Sequence, residues 1–234
     1  MQTVKSLEDL FIHYIQHLYA AEKQIAEAMP AIIAKAQHQS LKNALQHHCT
    51  ISKKHSARLN KIVALLNENR PNATEEQEIA LQENVTSSGI TGLIDEVNAL
   101  LQLHINKHVH DAALIGAVQK IEHYEICSYG TALAYATQLG LHKAAGLLHK
   151  TLDEEYDTDD LLTALAMAAL NKEGIPDGWE AANMQSITDS TTGTGGVPDN
   201  THTGASVTER TIHNPGGRAG ISHRRYPGGE SRGH

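Results

Sequence analysis

The sequence predicts an all-α protein: an antiparallel four-helix bundle with one long crossover, followed by a low-complexity C-terminal tail. Three observations carry that prediction. Apolar residues recur every three or four positions over four long stretches, which is the spacing of one face of a helix. Hydrophobic residues make up 40% of the chain but aromatic residues only 4%, so the core must be built from Leu, Ile and Ala, a composition of helices rather than of a β-sandwich. Glycine is unevenly spread: six of the 18 Gly lie before position 170 and the other 12 after it. Residues 1–170 are therefore expected to form the bundle. Residues 171–234, with four of the six Pro, are expected to form a Gly-rich tail that is flexible or ordered only by assembly.

The first long helix is expected at 6–37. Ser6 is its N-cap, with Asp9 three residues on, close to a capping box. Leu10, Phe11, Tyr14, Leu18, Ile25 and Met29 give its inward stripe, and Pro30 is a candidate bend. The second is expected at 40–67, on Leu41, Leu45, Cys49, Ser52, Ser56, Leu59, Val63 and Leu66. The Asn- and Pro-bearing run at 67–76 ends it. A short helix at 89–103 follows. The third long helix is expected at 107–138, closed by Gly140, and the fourth at 142–170. Two short links make two hairpins. The link between the hairpins is long enough to cross the bundle, which is the connectivity of ferritin-like folds.

The inward stripes are interrupted by acids. Glu22 falls between Leu18 and Ile25, Glu122 and Glu125 between Val118 and Tyr129, and Glu155 and Asp159 between Leu152 and Leu162. Each interruption lies near the middle of its helix, so in antiparallel helices of similar length the five carboxylates converge on one level. Five buried carboxylates cannot stay ionised together without a compensating cation. A divalent metal would supply that charge, and oxygen-rich sites suit Fe, Mn or Mg. A network of protonated carboxyls, trapped water and basic partners such as Lys23 or Lys53 is the alternative, and spacing alone leaves both open.

The blocks YAAEKQI at 19–25, DAALIGAVQKIEHYEICSYGTA at 111–132 and LGLHKAAGLLHKTLDEEYDTDDLLTALA at 139–166 resemble the YciE/YciF-type ferritin-like proteins. The resemblance spans residues 5–168. It implies a rubrerythrin-like bundle, often dimeric, from a family associated with stress responses, within a superfamily that uses di-iron or di-manganese carboxylate centres. Carried over residue by residue, it implies metal roles for Glu22, Glu122, Glu125, Glu155 and Asp159. In the second helix the family pattern has a Glu followed three residues later by a His, and here those positions read as Thr50 and Lys53. The expectation is therefore a degenerate centre with fewer than two ions: one Fe or Mn on Glu122, Glu155 and Asp159, or none. His48 and His55, one turn away, are candidates to restore ligation. Gain of a second metal by a Thr50→Glu/Lys53→His double variant would show that the centre is degenerate rather than redesigned.

Other features bound the function. With 27 acidic against 19 basic residues, a formal charge of −8, the chain is not expected to bind nucleic acid. Cys49 and Cys127 have no zinc-type spacing and are expected as reduced, buried thiols. His13 and His17, spaced i, i+4, and His104, His108 and His110 read as solvated faces, and His123 as a partner of an inward carboxylate. No apolar run reaches membrane-spanning length and the N-terminus lacks a signal-peptide pattern, so a cytoplasmic protein is expected. Two functions follow as expectations. One is a stress-associated protein with peroxide- or O₂-linked metal chemistry. The other is a non-catalytic assembly protein, a homodimer or higher homo-oligomer. Its tail would dock on a neighbouring subunit through VTERTI at 207–212 or through Arg218, Arg224, Arg225 and Arg232.

Overall fold

The computed structural model describes residues 4–68, 70, 72, 78–81, 85–176 and 179. The chain divides into two units, 1–183 and 184–234, and the fold is that of the first. The expected tail contacts, VTERTI and the four Arg, lie outside the described residues.

Among the described residues five α-helices form: α1 (Leu7–Lys35), α2 (Gln39–Glu68), α3 (Ser88–Leu101), α4 (Lys107–Gln138) and α5 (His142–Leu165). The capping box at α1 is present. Ser6 Oγ accepts from the Asp9 backbone N–H, and the Asp9 carboxylate accepts from the Ser6 N–H, each at 3.0 Å. The helix continues through Pro30 to Lys35. The α1–α2 corner is held from α4, where buried Asp111 accepts the backbone N–H groups of Gln37 and His38. Gly140 takes φ +69°, and the Leu141 N–H bonds back to Ala136 O, so the left-handed glycine closes α4 as expected.

α5 is shorter than the sequence predicts. It ends at Leu165, and residues Ala166–Leu170 form one π turn before a 3-10 turn at Lys172–Gly174. The apolar spacing continues across this change of pitch because Ala166 and Leu170 remain buried.

α1 packs on α2 and on α4, and α5 packs on α2 and on α4, which closes the four-helix ring. α3 leans on the outside against α4 and α1. Two apolar layers result. One is built from Phe11, Ile15, Leu59, Ile62, Leu148 and neighbours; the other from Ile25, Met29, Leu45, Leu114, Ile121 and neighbours. Each fully buried Leu or Ile contributes about 1.5–3 kcal/mol. The two layers can therefore hold a polar layer between them that costs stability. No helix among the described residues is long and apolar enough to cross a membrane.

Candidate metal centre

The polar layer draws on all four long helices. Glu22 comes from α1, His48, Ser52 and His55 from α2, Glu122, Glu125 and Tyr129 from α4, and Glu155 from α5, all 0% exposed. On α2 and α4 the spacings are i, i+4, i+7 and i, i+3, i+7, so each trio shares one face.

His55 Nδ1 is hydrogen-bonded to Glu22 Oε1 at 3.1 Å and lies 2.9 Å from Glu155 Oε1. His48 Nδ1 lies 3.4 Å from Glu122 Oε1. Tyr129 donates its hydroxyl to Glu22 Oε1 at 2.5 Å. Two donor triads emerge, Glu22–His55–Glu155 and His48–Glu122–Glu155, each offering ligand atoms within 4.8 Å of one another. Glu155 belongs to both.

Burial sets the charges. It pushes Glu122 and Glu125 well above the usual carboxylate range, and the nearby Glu155 adds to both. It carries Glu155 up to about 7 against the opposing pull of His55. Burial also depresses His48 to about 4, so that imidazole is neutral. At His55 burial pushes down, but the carboxylates of Glu155 and Glu22 outweigh it and raise the group to about 10. In the metal-free protein His55 is thus an imidazolium among acids.

Ten buried side-chain atoms in this layer lack a hydrogen-bond partner among the described residues: Glu22 Oε2, Ser52 Oγ, and both donor atoms of Glu122, Glu125, Glu155 and His48. A buried polar atom with no compensating neighbour costs about 1–3 kcal/mol; Glu155 Oε1 is partly compensated by His55 Nδ1 2.9 Å away. An oxygen-rich set with two imidazoles and orphaned lone pairs fits divalent cations.

The structure corrects the second-helix assignment. Thr50 and Lys53 both face solvent, and the Thr50 hydroxyl donates to Gln46 O on its own helix. Thr50 lies two residues from both His48 and Ser52, about 200° around the helix at 3.6 residues per turn, so it cannot share their face. The inward α2 residues are His48, Ser52 and His55. The Thr50→Glu/Lys53→His variant is therefore expected to leave metal content unchanged, and a gain of metal on elemental analysis would contradict this placement.

Asp159 is also displaced from its expected role. Its side chain is 17% exposed, accepts from Gln119 Nε2 at 3.0 Å and lies 3.4 Å from exposed His123. It is in neither triad; Glu122 and Glu155 are grouped with His48 instead. The inward residue beside it is Thr158. Glu125 is buried in the layer but outside both triads. Cys127, expected buried, is exposed, and Cys49 is half-buried. Cys127 lines an outer groove with His13 and His17, whose rings lie 4.3 Å apart.

The shifts predict a pH dependence for the metal-free protein. Carboxyls raised in the folded state contribute stability below their ordinary 4.5, which is lost as pH climbs through the folded values, about 7 for Glu155. His55, raised to about 10, adds to the loss above its ordinary 6.5. His48, lowered to about 4, acts in the opposite sense only between about 4 and 6.5. From about pH 6.5 to 8 these groups act together, so the melting temperature of metal-free protein is expected to fall. Metal-loaded protein should not follow, because its ligands are already deprotonated. Parallel curves for the two forms would contradict the assignment.

A family model described as a domain of unknown function, DUF892, matches residues 6–174. The chain is 37% identical over 171 residues to the protein YciF of Escherichia coli, covering 73% of this chain and 96% of that protein. The crystal structure of that E. coli stress protein matches with a TM-score of 0.64 over 72% of this chain and 99% of the other. The solved YcfI protein of Rhodopseudomonas palustris matches at 29% identity with a TM-score of 0.60, over 69% of this chain and 96% of that one.

Proposed function

The chain belongs to the DUF892 family, and on that premise we propose that it is a ferritin-like, stress-associated protein that holds a pair of iron or manganese ions in its polar layer. The observation that carries the reading is the pair of buried donor triads sharing Glu155. Likeness to the E. coli stress protein YciF supports the stress association. Oxygen donors with one imidazole at each position suit Fe or Mn.

Glu155 would bridge the two positions, with Glu22 and His55 completing one and Glu122 and His48 the other. Bound there, such a pair would supply redox chemistry toward peroxide or O₂. The protein's own groups prepare the layer. Tyr129 holds Glu22 Oε1 through its hydroxyl and fills the side of the layer facing the Phe11 end of the core, keeping water out. Burial pushes the Tyr129 hydroxyl well above its ordinary range, so it stays a donor. The apolar layers above and below keep the carboxylates in low dielectric, where their attraction for a cation is strongest.

Full-length protein loaded anaerobically with Fe(II) and mixed with hydrogen peroxide tests the reading. Iron oxidation followed by absorbance is expected to be faster than for the same Fe(II) in buffer, and slower after His55→Ala. Identical traces for protein and buffer would overturn the proposed chemistry.

A further inference from the structure

The two imidazoles are held very differently. His55 Nε2, the nitrogen pointing away from Glu22 and Glu155, lies 2.9 Å from Glu154 Oε2. Glu154 is itself gripped at two points by Arg58, with Nη1 donating to Oε2 at 2.6 Å and Nη2 to Oε1 at 2.9 Å. Arg58 Nη1 also donates to Thr151 Oγ1 at 3.1 Å. Arg58 follows His55 by one turn on α2, and Glu154 precedes Glu155 on α5, so this brace closes the seam between the helices that carry both residues. A carboxylate on the remote nitrogen keeps the proton at Nε2, so that Nδ1, which faces Glu22 and Glu155, is the nitrogen that gives up its proton when a cation binds. His48 has nothing comparable: neither ring nitrogen has a hydrogen-bond partner among the described residues.

We propose that Arg58 and Glu154 are positioning residues for one metal position only, committing His55 to bind through Nδ1 and making the two positions of the centre unequal. This rests on the metal-centre reading above. Such partners of a ligating imidazole typically change metal affinity about 10–100-fold. The brace touches Glu22–His55–Glu155 and leaves His48–Glu122–Glu155 without support, so its loss acts on one binding step and spares the other.

The test is anaerobic titration of the full-length protein with Co(II), followed by visible absorption and calorimetry. Wild type is expected to bind in two separable steps. Arg58→Met and Glu154→Ala should weaken one step about 10–100-fold and leave the other in place. Arg58→Lys, which keeps one of the two contacts to Glu154, should recover part of the loss. His48→Ala should remove the step that the brace variants spare, and His55→Ala the step they weaken. His48→Ala and Arg58→Lys leave the Glu154 carboxylate in place and keep the test informative if a brace variant fails to fold. Equal weakening of both steps, or no change in either while His55→Ala still removes one, would overturn the proposal. Wild type that binds no Co(II) would overturn the metal-centre reading itself, a result distinct from either.

Discussion

Replacing Glu155 with Gln is expected to remove both metal positions at once. Glu155 is the one residue common to the two triads, and its carboxylate is 0% exposed. Gln keeps the volume and removes the charge, so the bundle should still form while affinity at both positions falls by about 100-fold or more, beyond the loss typical of an outer partner. Glu22→Gln and Glu122→Gln, each confined to one triad, should cost one position each. Metal analysis after gel filtration distinguishes these cases. If Glu155→Gln keeps one ion at wild-type affinity, the two positions do not share that ligand.

Glu125→Leu is expected to make the metal-free protein more stable. The Glu125 carboxyl is fully buried, neither oxygen has a hydrogen-bond partner among the described residues, and it lies outside both triads. Burial and its acidic neighbours push it toward the neutral form, which still leaves its polar atoms unsatisfied. An apolar residue of similar volume removes that cost for a gain of about 1–4 kcal/mol, read as a rise in melting temperature of about 2–4 °C per kcal/mol in a domain of this size. Lys53→Ala, on the solvent face, should change stability by less than about 0.5 kcal/mol. A lower melting temperature for metal-free Glu125→Leu would mean that Glu125 has a partner in the folded protein.

The fold was legible because helix-forming chemistry repeats at every level. The Ser6–Asp9 cap, the glycine after α4 and the four apolar stripes all point to the same bundle, and the structure follows them. The carboxylates at 22, 122, 125 and 155 were legible for a related reason. A Glu on an otherwise apolar stripe is hard to explain by packing, so its position on the stripe is informative. The α2 contribution was not legible in that way. His and Ser occur on either face of a helix, and matching the chain to a family pattern put the emphasis on Thr50 and Lys53. The α2 stripe itself pointed elsewhere: Leu45, Ser52 and Leu59 are seven residues apart, and His48 and His55 fall on the same face. Asp159 lies four residues after Glu155, about one full turn, which brings it to the same side of α5 but toward the rim. There it finds Gln119 and His123 in place of the centre. The brace had no signal in the sequence, since Arg58 and Glu154 sit on different helices and read as ordinary surface charges.

Three buried carboxylates, Glu22, Glu122 and Glu155, and two buried imidazoles, His48 and His55, form the proposed two-ion centre, and metal stoichiometry tests it most directly. Full-length protein reconstituted anaerobically with Fe(II) or Mn(II), desalted and analysed for metal should carry about two ions per chain, as expected of a bundle site with a ligand set on each helix. Less than about a tenth of an equivalent of either metal, in protein that remains helical and folded, would contradict the account and leave the polar layer as a network of protonated carboxyls.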